Sequence, residues 1–574
     1  MPPFLRSAIS SLRYIARAIG GYSIACDLLA LVSVISALVA PESVATRVLL
    51  GVSLVLIVAT PIHAAMGSFR DSSQTSLLMG TATLSRIMIV LGALAIEFGT
   101  GGPAQGLLTG TLLCLLVIGE QATRWAVKSA APQVANIAGW DVPLPSLGIA
   151  NWLYGASTVG VALMVLAAIF SLTVIPAMIA SLFGIVFAGI IGFQSVRYLY
   201  GRNRFEANLP RILGTLKPVF AFHWQAPAGT AYQASMWLPY LDRLGVPYFV
   251  LVRTRANFFE VAKLTDAPII LRVGLEDLDP IVCPSLKVVF YANTAVRNSH
   301  MIRFPHLTHI QLNHGDSDKI ASVSPTFRQY DRNFVAGQAA IDRFAKHGVL
   351  TRADQFVIVS RPQLESVHMA TAPISSVPAP TVLYSPTWSG FYEDSNYSSL
   401  PAGRRITEAL LARGCTVVFR PHPYSFKHKA NAGACVEIID LLTADAKSTG
   451  RAHIFGPVAE TSMSVVDCFN ACDAMISDVS SVVSDFLISE KPFAMGAVSA
   501  HGDEFVAEFP LAEAAYVFDV VDAEAVHLEA VLDDMLGPDS KAAARRSLRN
   551  YYLSDTPTDK VAERFIQEAR TFLV

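Results

Sequence analysis

The chain has 574 residues, of which 52% are hydrophobic and 16% are charged, and its mean hydropathy is +0.43. Soluble domains carry roughly 25% charged residues, and here the first 200 residues hold only 15 of the 90 charged side chains. This uneven distribution excludes a single soluble domain, a disordered chain and a disulfide-stapled secreted module. The net charge of −2 gives no reason to expect nucleic acid as a partner.

Residues 1–200 have the composition of a transmembrane domain. A helix needs about 20 mostly apolar residues to cross the hydrocarbon layer, and apolar segments occur at 24–40, 47–66, 84–98, 105–119, 153–170 and 173–193. Basic residues precede the first segment and follow the second, fourth and sixth segments, which places these loops on the cytoplasmic side. We therefore predict a multi-pass α-helical domain of about six spans in a lipid bilayer, followed by a cytoplasmic region.

Residues 215–370 and 380–574 show short apolar runs that alternate with amphipathic helices, the pattern of parallel α/β sheets. The strand candidates are 218–223, 247–252, 268–273, 286–292, 308–312 and 356–359, then 381–385, 415–419, 473–477, 492–496 and 515–520. A stretch rich in Pro, Ser and Ala, at 361–380, separates the two sets. The prediction is a pair of Rossmann-type domains with a cleft at the carboxyl ends of both sheets.

A His-Gly turn follows the strand candidate at 308–312. Gly315 permits a tight turn that directs His314 toward the cleft, where a neutral imidazole is suited to accept a proton from an attacking hydroxyl. Lys319 lies a few residues further on. The alternatives are a purely structural turn for His314 and a solvated charge for Lys319.

Two motifs that contain proline follow strands of the second set. In Tyr-Ser-Pro-Thr-Trp (384–388), the hydroxyl of Thr387 and nearby amides are suited to a phosphate or a base. In Arg-Pro-His-Pro (420–423), the rigid fork of Arg420 fits phosphate, and the prolines hold Arg420 and His422 in an extended frame. An ordinary Pro-ended strand and a surface turn are the respective alternatives.

A fourth motif reads SDVSSVVSDF over residues 477–486, where a buried strand ends and a helix begins. Free N–H groups and the dipole at such a helix start favour a pyrophosphate. Ser480 and Ser481 supply hydroxyls there, with Asp478 and Asp485 close by in sequence. Plain N-capping by the serines is compatible with this binding. The sequence contains no Gly-rich NTPase loop, HExxH motif or Cys/His zinc spacing, so neither a metal nor a cofactor is expected.

Taken in this order and at these separations, HG…K, YSPTW, RPHP and SDVSSVVSDF resemble the CDP-glycerol glycerophosphotransferase family, which includes teichoic acid primases and polymerases. The resemblance covers about residues 215–500. It implies a GT-B fold, a CDP-glycerol or related CDP-polyol donor, and transfer of polyol phosphate to an acceptor hydroxyl with release of CMP. One departure is the acidic Asp316-Ser317-Asp318 after the His-Gly turn, where the family typically shows an uncharged stretch.

The same resemblance implies a role for each motif residue. His314 would be the general base, and Arg420 and His422 would bind the donor diphosphate and stabilise charge as CMP leaves. The residues expected to bind substrate are Lys319, Thr387, Asp478, Ser480, Ser481 and Asp485. The implied setting is the bacterial plasma membrane, with a cell-envelope glycan or a lipid-linked molecule as acceptor and cell wall biogenesis as the process.

Two alternative functions fit the same organisation. The first is a GT-B glycosyltransferase that uses a nucleotide sugar. The second is a six-span transport protein whose cytosolic domain is not catalytic, and it predicts no nucleotide release with any donor. Incubation with CDP-glycerol, CDP-ribitol and UDP-sugars distinguishes these possibilities.

Overall fold

The computed structural model describes residues 21–68, 81–100, 104–130, 133–140, 144–390, 396–427 and 429–574. The chain forms two compact units, Met1–Leu209 and Pro210–Val574. The basic residues predicted to flank the first two spans lie outside the described residues, namely Arg6, Arg13, Arg17 and Arg70.

Apolar helices coincide with the predicted segments of the first unit. Their bounds are Gly21–Val39, Val44–Ser68, Thr83–Gly99, Ala104–Ser129, Leu147–Phe170 and Ile175–Leu216. In the part of the chain that the structure describes, four stretches are long and apolar enough to cross a membrane: Tyr22–Val39, Ala104–Ser129, Gly148–Phe170 and Ile175–Leu216. The helix Thr83–Gly99 has 17 residues, and it falls short because a span needs about 20 residues. The prediction of about six spans is therefore supported for four.

The apolar core of the first unit encloses a pair of opposite charges. Arg86 and Glu120 have fully buried side chains, with Nη2 of Arg86 2.6 Å from Oε2 of Glu120 and Nη1 3.0 Å from Oε1. Nη1 of Arg86 also donates to Ser157 Oγ at 3.1 Å, and the guanidinium lies 4.9 Å from the ring centroid of Tyr154. Three helices thus contribute side chains to this cluster, in which both Nη atoms of Arg86 are bonded and its Nε has no hydrogen-bond partner among the described residues.

The first sheet of the second unit consists of mostly buried, apolar strands, as expected where helices cover both faces of a parallel sheet. Its strands are β1 (Phe220–Trp224), β2 (Tyr248–Val252), β3 (Ile269–Leu271), β4 (Val288–Tyr291), β5 (Thr308–Gln311), β6 (Arg332–Val335) and β7 (Phe356–Ile358). They pair in parallel in the order β3-β2-β1-β4-β5-β6-β7. The sequence predicted each of these strands except β6.

The second sheet contains β8 (Thr381–Ser385), β9 (Thr416–Phe419), β10 (Ala474–Ser477), β11 (Phe493–Ala497), β12 (Tyr516–Val521) and β13 (Glu524–Val526). Their order is β9-β8-β10-β11-β12-β13. All pairs are parallel except β12 with β13, which form a hairpin. Asp522 and Ala523 make its two-residue turn with φ of 47° and 67°, the left-handed conformation that such turns require. The unit is therefore a mixed α/β structure with two largely parallel sheets.

Helices fill the connections and close the chain. They are Tyr232–Ser235, Leu238–Asp242, Arg255–Val261, Ser299–Ile302, Gln338–Lys346, Gly403–Ala412, Lys429–Thr449, Val465–Asn470, Ser481–Phe486, Gly502–Glu508, Leu528–Met535, Ala542–Leu553 and Val561–Thr571. The ring of Phe565 in the last helix lies 5.3 Å from Trp237 and 6.1 Å from Phe334. The chain end, predicted as part of the second domain, thus packs on the first half of the unit.

Candidate active site

The predicted site residues lie at the edges where parallel strands end, which is where α/β sheets place their ligands. His314 follows β5 by three residues, and Thr387, His422 and Asp478 follow β8, β9 and β10 by one to three residues. Since β9, β8 and β10 are neighbours in the second sheet, their three motifs meet at a single edge.

His314 has the hydrogen bonding of a proton acceptor. Its Nδ1 lies 3.2 Å from the carbonyl oxygen of Ala292, which can only accept a hydrogen bond, so Nδ1 carries the proton and Nε2 keeps its lone pair. Burial lowers the pKa of His314 and the positive charge of Arg361 lowers it further, whereas the Ala292 carbonyl opposes the fall. The imidazole is therefore neutral near pH 7, with Nε2 available to take a proton.

His422 has the opposite arrangement. Its Nδ1 accepts a hydrogen bond from the backbone N–H of Tyr424 at 3.1 Å, so Nε2 carries the proton in the neutral ring. Burial lowers the pKa of His422 to about 4, and the charges of Lys319 and His314 add to this fall. The two imidazoles thus lie close enough to influence each other, and one offers an acceptor while the other offers a donor.

Lys319 joins the two halves of the unit beside these imidazoles. Its Nζ donates to Thr387 Oγ1 at 3.4 Å and lies 5.0 Å from the ring centroid of Tyr397. Burial lowers the pKa of Lys319 to about 8, and the carboxylate of Asp478 opposes the fall. The backbone N–H of Thr387 donates to Asp478 Oδ2 at 2.7 Å. The structure therefore brings Lys319, Thr387 and Asp478 together, as the sequence predicted.

The carboxyl of Asp478 is fully buried, and this burial raises its pKa to about 7. Hydrogen bonds from Ser399 and Thr387 and the charge of Lys319 oppose the rise. A carboxyl whose pKa lies near neutrality is typical of functional sites, where burial and a charged neighbour act on one group.

The helix start at Ser480 and Ser481 faces the His-Gly turn. A Cβ atom added at Gly315 would lie 2.7 Å from Ser481 Oγ, so this close approach requires glycine at 315. Ser480 occupies the N-cap position but makes no capping bond, and its buried Oγ has no hydrogen-bond partner among the described residues. An unsatisfied buried hydroxyl at this place is suited to a ligand oxygen.

Two predicted ligand-binding residues are engaged elsewhere. Arg420 directs Nη1 to the carbonyl oxygens of Ala459 and Met463, the latter at 2.8 Å. Asp485 forms a two-pronged ion pair with Arg361, with both N–O distances at 3.0 Å. Asp485 is therefore bound to a protein cation, and the described contacts of Arg420 run toward residues 459–468 rather than toward His314.

Sequence reasoning missed Arg361, Tyr397 and Arg343. Arg361 lies three residues after β7 and could have been found by its position at a strand end, although residues 361–380 were taken as a linker. Arg343 forms ion pairs with both Asp316 and Asp318, and no signal in the sequence indicates that pairing. Among the described residues, no group of three or more His, Cys, Asp or Glu side chains could hold a metal ion.

A known family matches this part of the chain. The family described as CDP-Glycerol:Poly(glycerophosphate) glycerophosphotransferase matches residues 369–498, which include Thr387, Arg420, His422 and Asp478 but not His314. This region is that of a CDP-glycerol glycerophosphotransferase-like transferase. The match confirms the predicted resemblance for residues 369–498, which contain three of the four motifs, and it confirms the prediction of an enzyme of this kind. The comparison with curated proteins gave no match.

Solved structures with similar chain paths are remote in sequence. The wall teichoic acid polymerase TagF is 12% identical, with a TM-score of 0.40, and the match covers 66% of this chain and 96% of that chain. MnaA from S. aureus, solved with UDP, is 11% identical, with a TM-score of 0.41 and coverage of 62% and 96%. The family match, and not these structures, supports the assignment of a transferase.

Proposed function

We propose that the transferase moves glycerol phosphate, or another polyol phosphate, from a CDP-polyol to a hydroxyl of a cell-envelope glycan or a lipid-linked acceptor. CMP is the second product. The family match to residues 369–498 supports the donor class. The observation that carries the proposal is a pair of imidazoles at strand ends, of which His314, after β5, offers an acceptor nitrogen and His422, after β9, offers a donor nitrogen.

In the proposed reaction, the acceptor hydroxyl gives its proton to Nε2 of His314. The oxygen then attacks the phosphorus that bears glycerol, and the bond from that phosphorus to the bridging oxygen of CMP breaks. The bridging oxygen leaves with the electron pair, and Nε2–H of His422 and the ammonium of Lys319 are the donors placed to stabilise it. Such catalysis consists mainly of positioning and charge stabilisation.

The lowered pKa values of His314 and Lys319 fit their proposed roles as proton acceptor and hydrogen-bond donor. A neutral His314 is free to accept a proton, and the negative charge of a bound diphosphate would raise its pKa at the moment of reaction. Lys319, whose pKa is about 8 before substrate binds, gains its charge fully beside the same diphosphate. A bound diphosphate would therefore supply the negative charge that balances Lys319 and a protonated His314.

The remaining parts of the proposal concern architecture and setting. We propose a GT-B arrangement of the two sheets, with β8–β12 on the donor side, Ser480 and Ser481 near the diphosphate, and β1–β7 on the acceptor side. The four stretches long enough to cross a membrane support a multi-pass protein of the bacterial plasma membrane. Arg197, Arg202 and Arg204 follow the last apolar segment and support a cytoplasmic catalytic unit.

The test is nucleotide release by the purified full chain, supplied with native membranes as the source of acceptor. We expect CMP from CDP-glycerol or CDP-ribitol, and transfer of the radioactive polyol from the labelled donor into the membrane fraction. Release of a nucleoside diphosphate from a UDP-sugar, with no CMP from either CDP-polyol, would replace this proposal with the glycosyltransferase. The His422→Ala variant should lose CMP release in the same assay.

A further inference from the structure

The acidic stretch Asp316-Ser317-Asp318 lies between the two site residues of one loop, His314 and Lys319. Its carboxylates face a cation of the same half of the unit. Nη1 of Arg343 lies 2.5 Å from Asp316 Oδ1, and Nη2 lies 2.9 Å from Asp318 Oδ1. Since Arg343 and Asp318 are each only 6% exposed, this is a buried, ion-paired cluster.

The second oxygen of Asp318 connects the loop to the chain end. Asp318 Oδ2 accepts a hydrogen bond from the hydroxyl of Tyr552 at 2.9 Å and from the backbone N–H of Leu511 at 3.2 Å. Tyr552 is 3% exposed and belongs to the helix Ala542–Leu553. Both oxygens of Asp318 are therefore committed to partners on different parts of the unit, so the carboxylate is held in a fixed place.

We infer that Asp318, Arg343 and Tyr552 are positioning residues, which hold the loop so that His314 and Lys319 stand at their working distances from the donor. The inference rests on the proposed function for the identity of the reaction. The carboxylates of Asp316 and Asp318 are both bound to Arg343, which holds them on the side of the helix Gln338–Lys346. A misplacement of about 1 Å at reacting groups can cost 10²-fold in rate, so a small relaxation of this loop is measurable.

Two adjacent tyrosines provide a matched test. The Tyr552 hydroxyl bonds to Asp318 on the loop, and the Tyr551 hydroxyl bonds to Asp342 Oδ2 at 2.8 Å on the helix Gln338–Lys346. Each substitution to phenylalanine removes one phenol–carboxylate hydrogen bond and preserves the ring. Tyr552→Phe should lower kcat for CMP release about three- to tenfold, the equivalent of one hydrogen bond, with the donor KM within about twofold of that of the wild type. Tyr551→Phe should leave kcat unchanged.

Hydrogen exchange of the backbone amides at 313–319 is the second readout, measured on the full chain of both variants. We expect faster exchange of this loop in Tyr552→Phe and unchanged exchange in Tyr551→Phe. Equal kcat in the two variants, or equal exchange of the loop, would overturn the inference. If the wild type releases no CMP from any CDP-polyol, the proposed function fails. Hydrogen exchange of residues 313–319 then decides alone whether Tyr552 holds this loop in place.

Discussion

Buried charge is treated in opposite ways in two clusters of this protein, one in each unit. In the first unit, Arg86 and Glu120 are fully buried, form a two-pronged ion pair and share Ser157 as a further partner. In the second unit, the ammonium of Lys319 makes one long hydrogen bond, 3.4 Å to Thr387, and no ion pair with Asp478 is present among the described residues. The first cluster is closed, whereas the second retains capacity for a charged ligand.

Both clusters are buried, so burial alone does not distinguish a structural charge from a functional one. The partners that each charged group already has do distinguish the two clusters. In a closed pair each charge is already balanced by its partner, so removing one member leaves an unpaired buried charge. An open cluster shifts its own pKa values instead, as Lys319 and Asp478 do toward neutrality. Perturbed groups of this kind cluster at active sites.

We call the site residues His314, Lys319, Thr387, His422 and Asp478 the open cluster. The largest effect expected within it comes from His314. His314→Ala removes the acceptor nitrogen and should lower the rate of CMP release by about 10²–10⁴-fold, the usual contribution of a general base. The unfolding temperature should change little, because the ring makes one hydrogen bond to the Ala292 carbonyl. The exposed His306 serves as a control, and His306→Ala should retain the wild-type rate. Near-full turnover of His314→Ala would remove this residue from the mechanism.

The next effect concerns the closed pair and appears in stability rather than in rate. Arg86→Met leaves the Glu120 carboxylate buried without its cation, and it should reduce the free energy of unfolding by about 3–5 kcal/mol. The double variant Arg86→Met/Glu120→Met should recover most of this loss, because apolar replacement of a whole buried pair is often neutral. Unfolding in detergent micelles measures both. A double variant that is stable yet unable to release CMP would show that the pair has a function. It would contradict the interpretation of this pair as purely structural.

Strands of this fold were predictable where their residues form continuous apolar runs. β1, β2, β4 and β5 occur within two residues of their predicted bounds. β6 was missed because it begins with Arg332 and Asn333, and the amide nitrogen of the buried Asn333 donates to the Phe327 carbonyl at 3.3 Å. That bond depends on tertiary structure and leaves no trace in the periodicity. β13 is not among the predicted strands, because its three residues, Glu524–Val526, form an edge strand without an apolar run.

The sequence predicted those site residues that lie directly after a strand, because the ends of neighbouring parallel strands are close to one another. Thr387, His422 and Asp478 come together because β8, β9 and β10 are neighbouring parallel strands that end at one edge of the second sheet, and His314 lies at the corresponding end of β5 in the first sheet. The partners of Arg420 and Asp485 were not predictable, since the Met463 carbonyl and the Arg361 guanidinium reach them only in the folded chain. A motif therefore locates a side chain but does not tell which group it faces.

The smallest effect expected within the open cluster is a pH dependence of stability that arises from Asp478. Burial raises the pKa of Asp478 from 3.8 to about 7, so the folded state binds this proton more tightly than the unfolded state does. Its stabilising contribution is therefore fully present below about pH 3.8 and is lost as pH rises through about 7. Asp478→Asn does not titrate, and its side-chain carbonyl can still accept from the Thr387 N–H.

The difference in unfolding temperature, wild type minus Asp478→Asn, should consequently fall by a few degrees between about pH 5 and pH 8. Asp503→Asn, at an exposed position, should give a curve parallel to that of the wild type over the same range. Parallel curves for Asp478→Asn as well would mean that its carboxyl is ionised across this range, held by a cation within contact distance. In that case the cluster around Lys319 would be closed like the pair of Arg86 and Glu120, and the distinction between these two clusters would no longer hold.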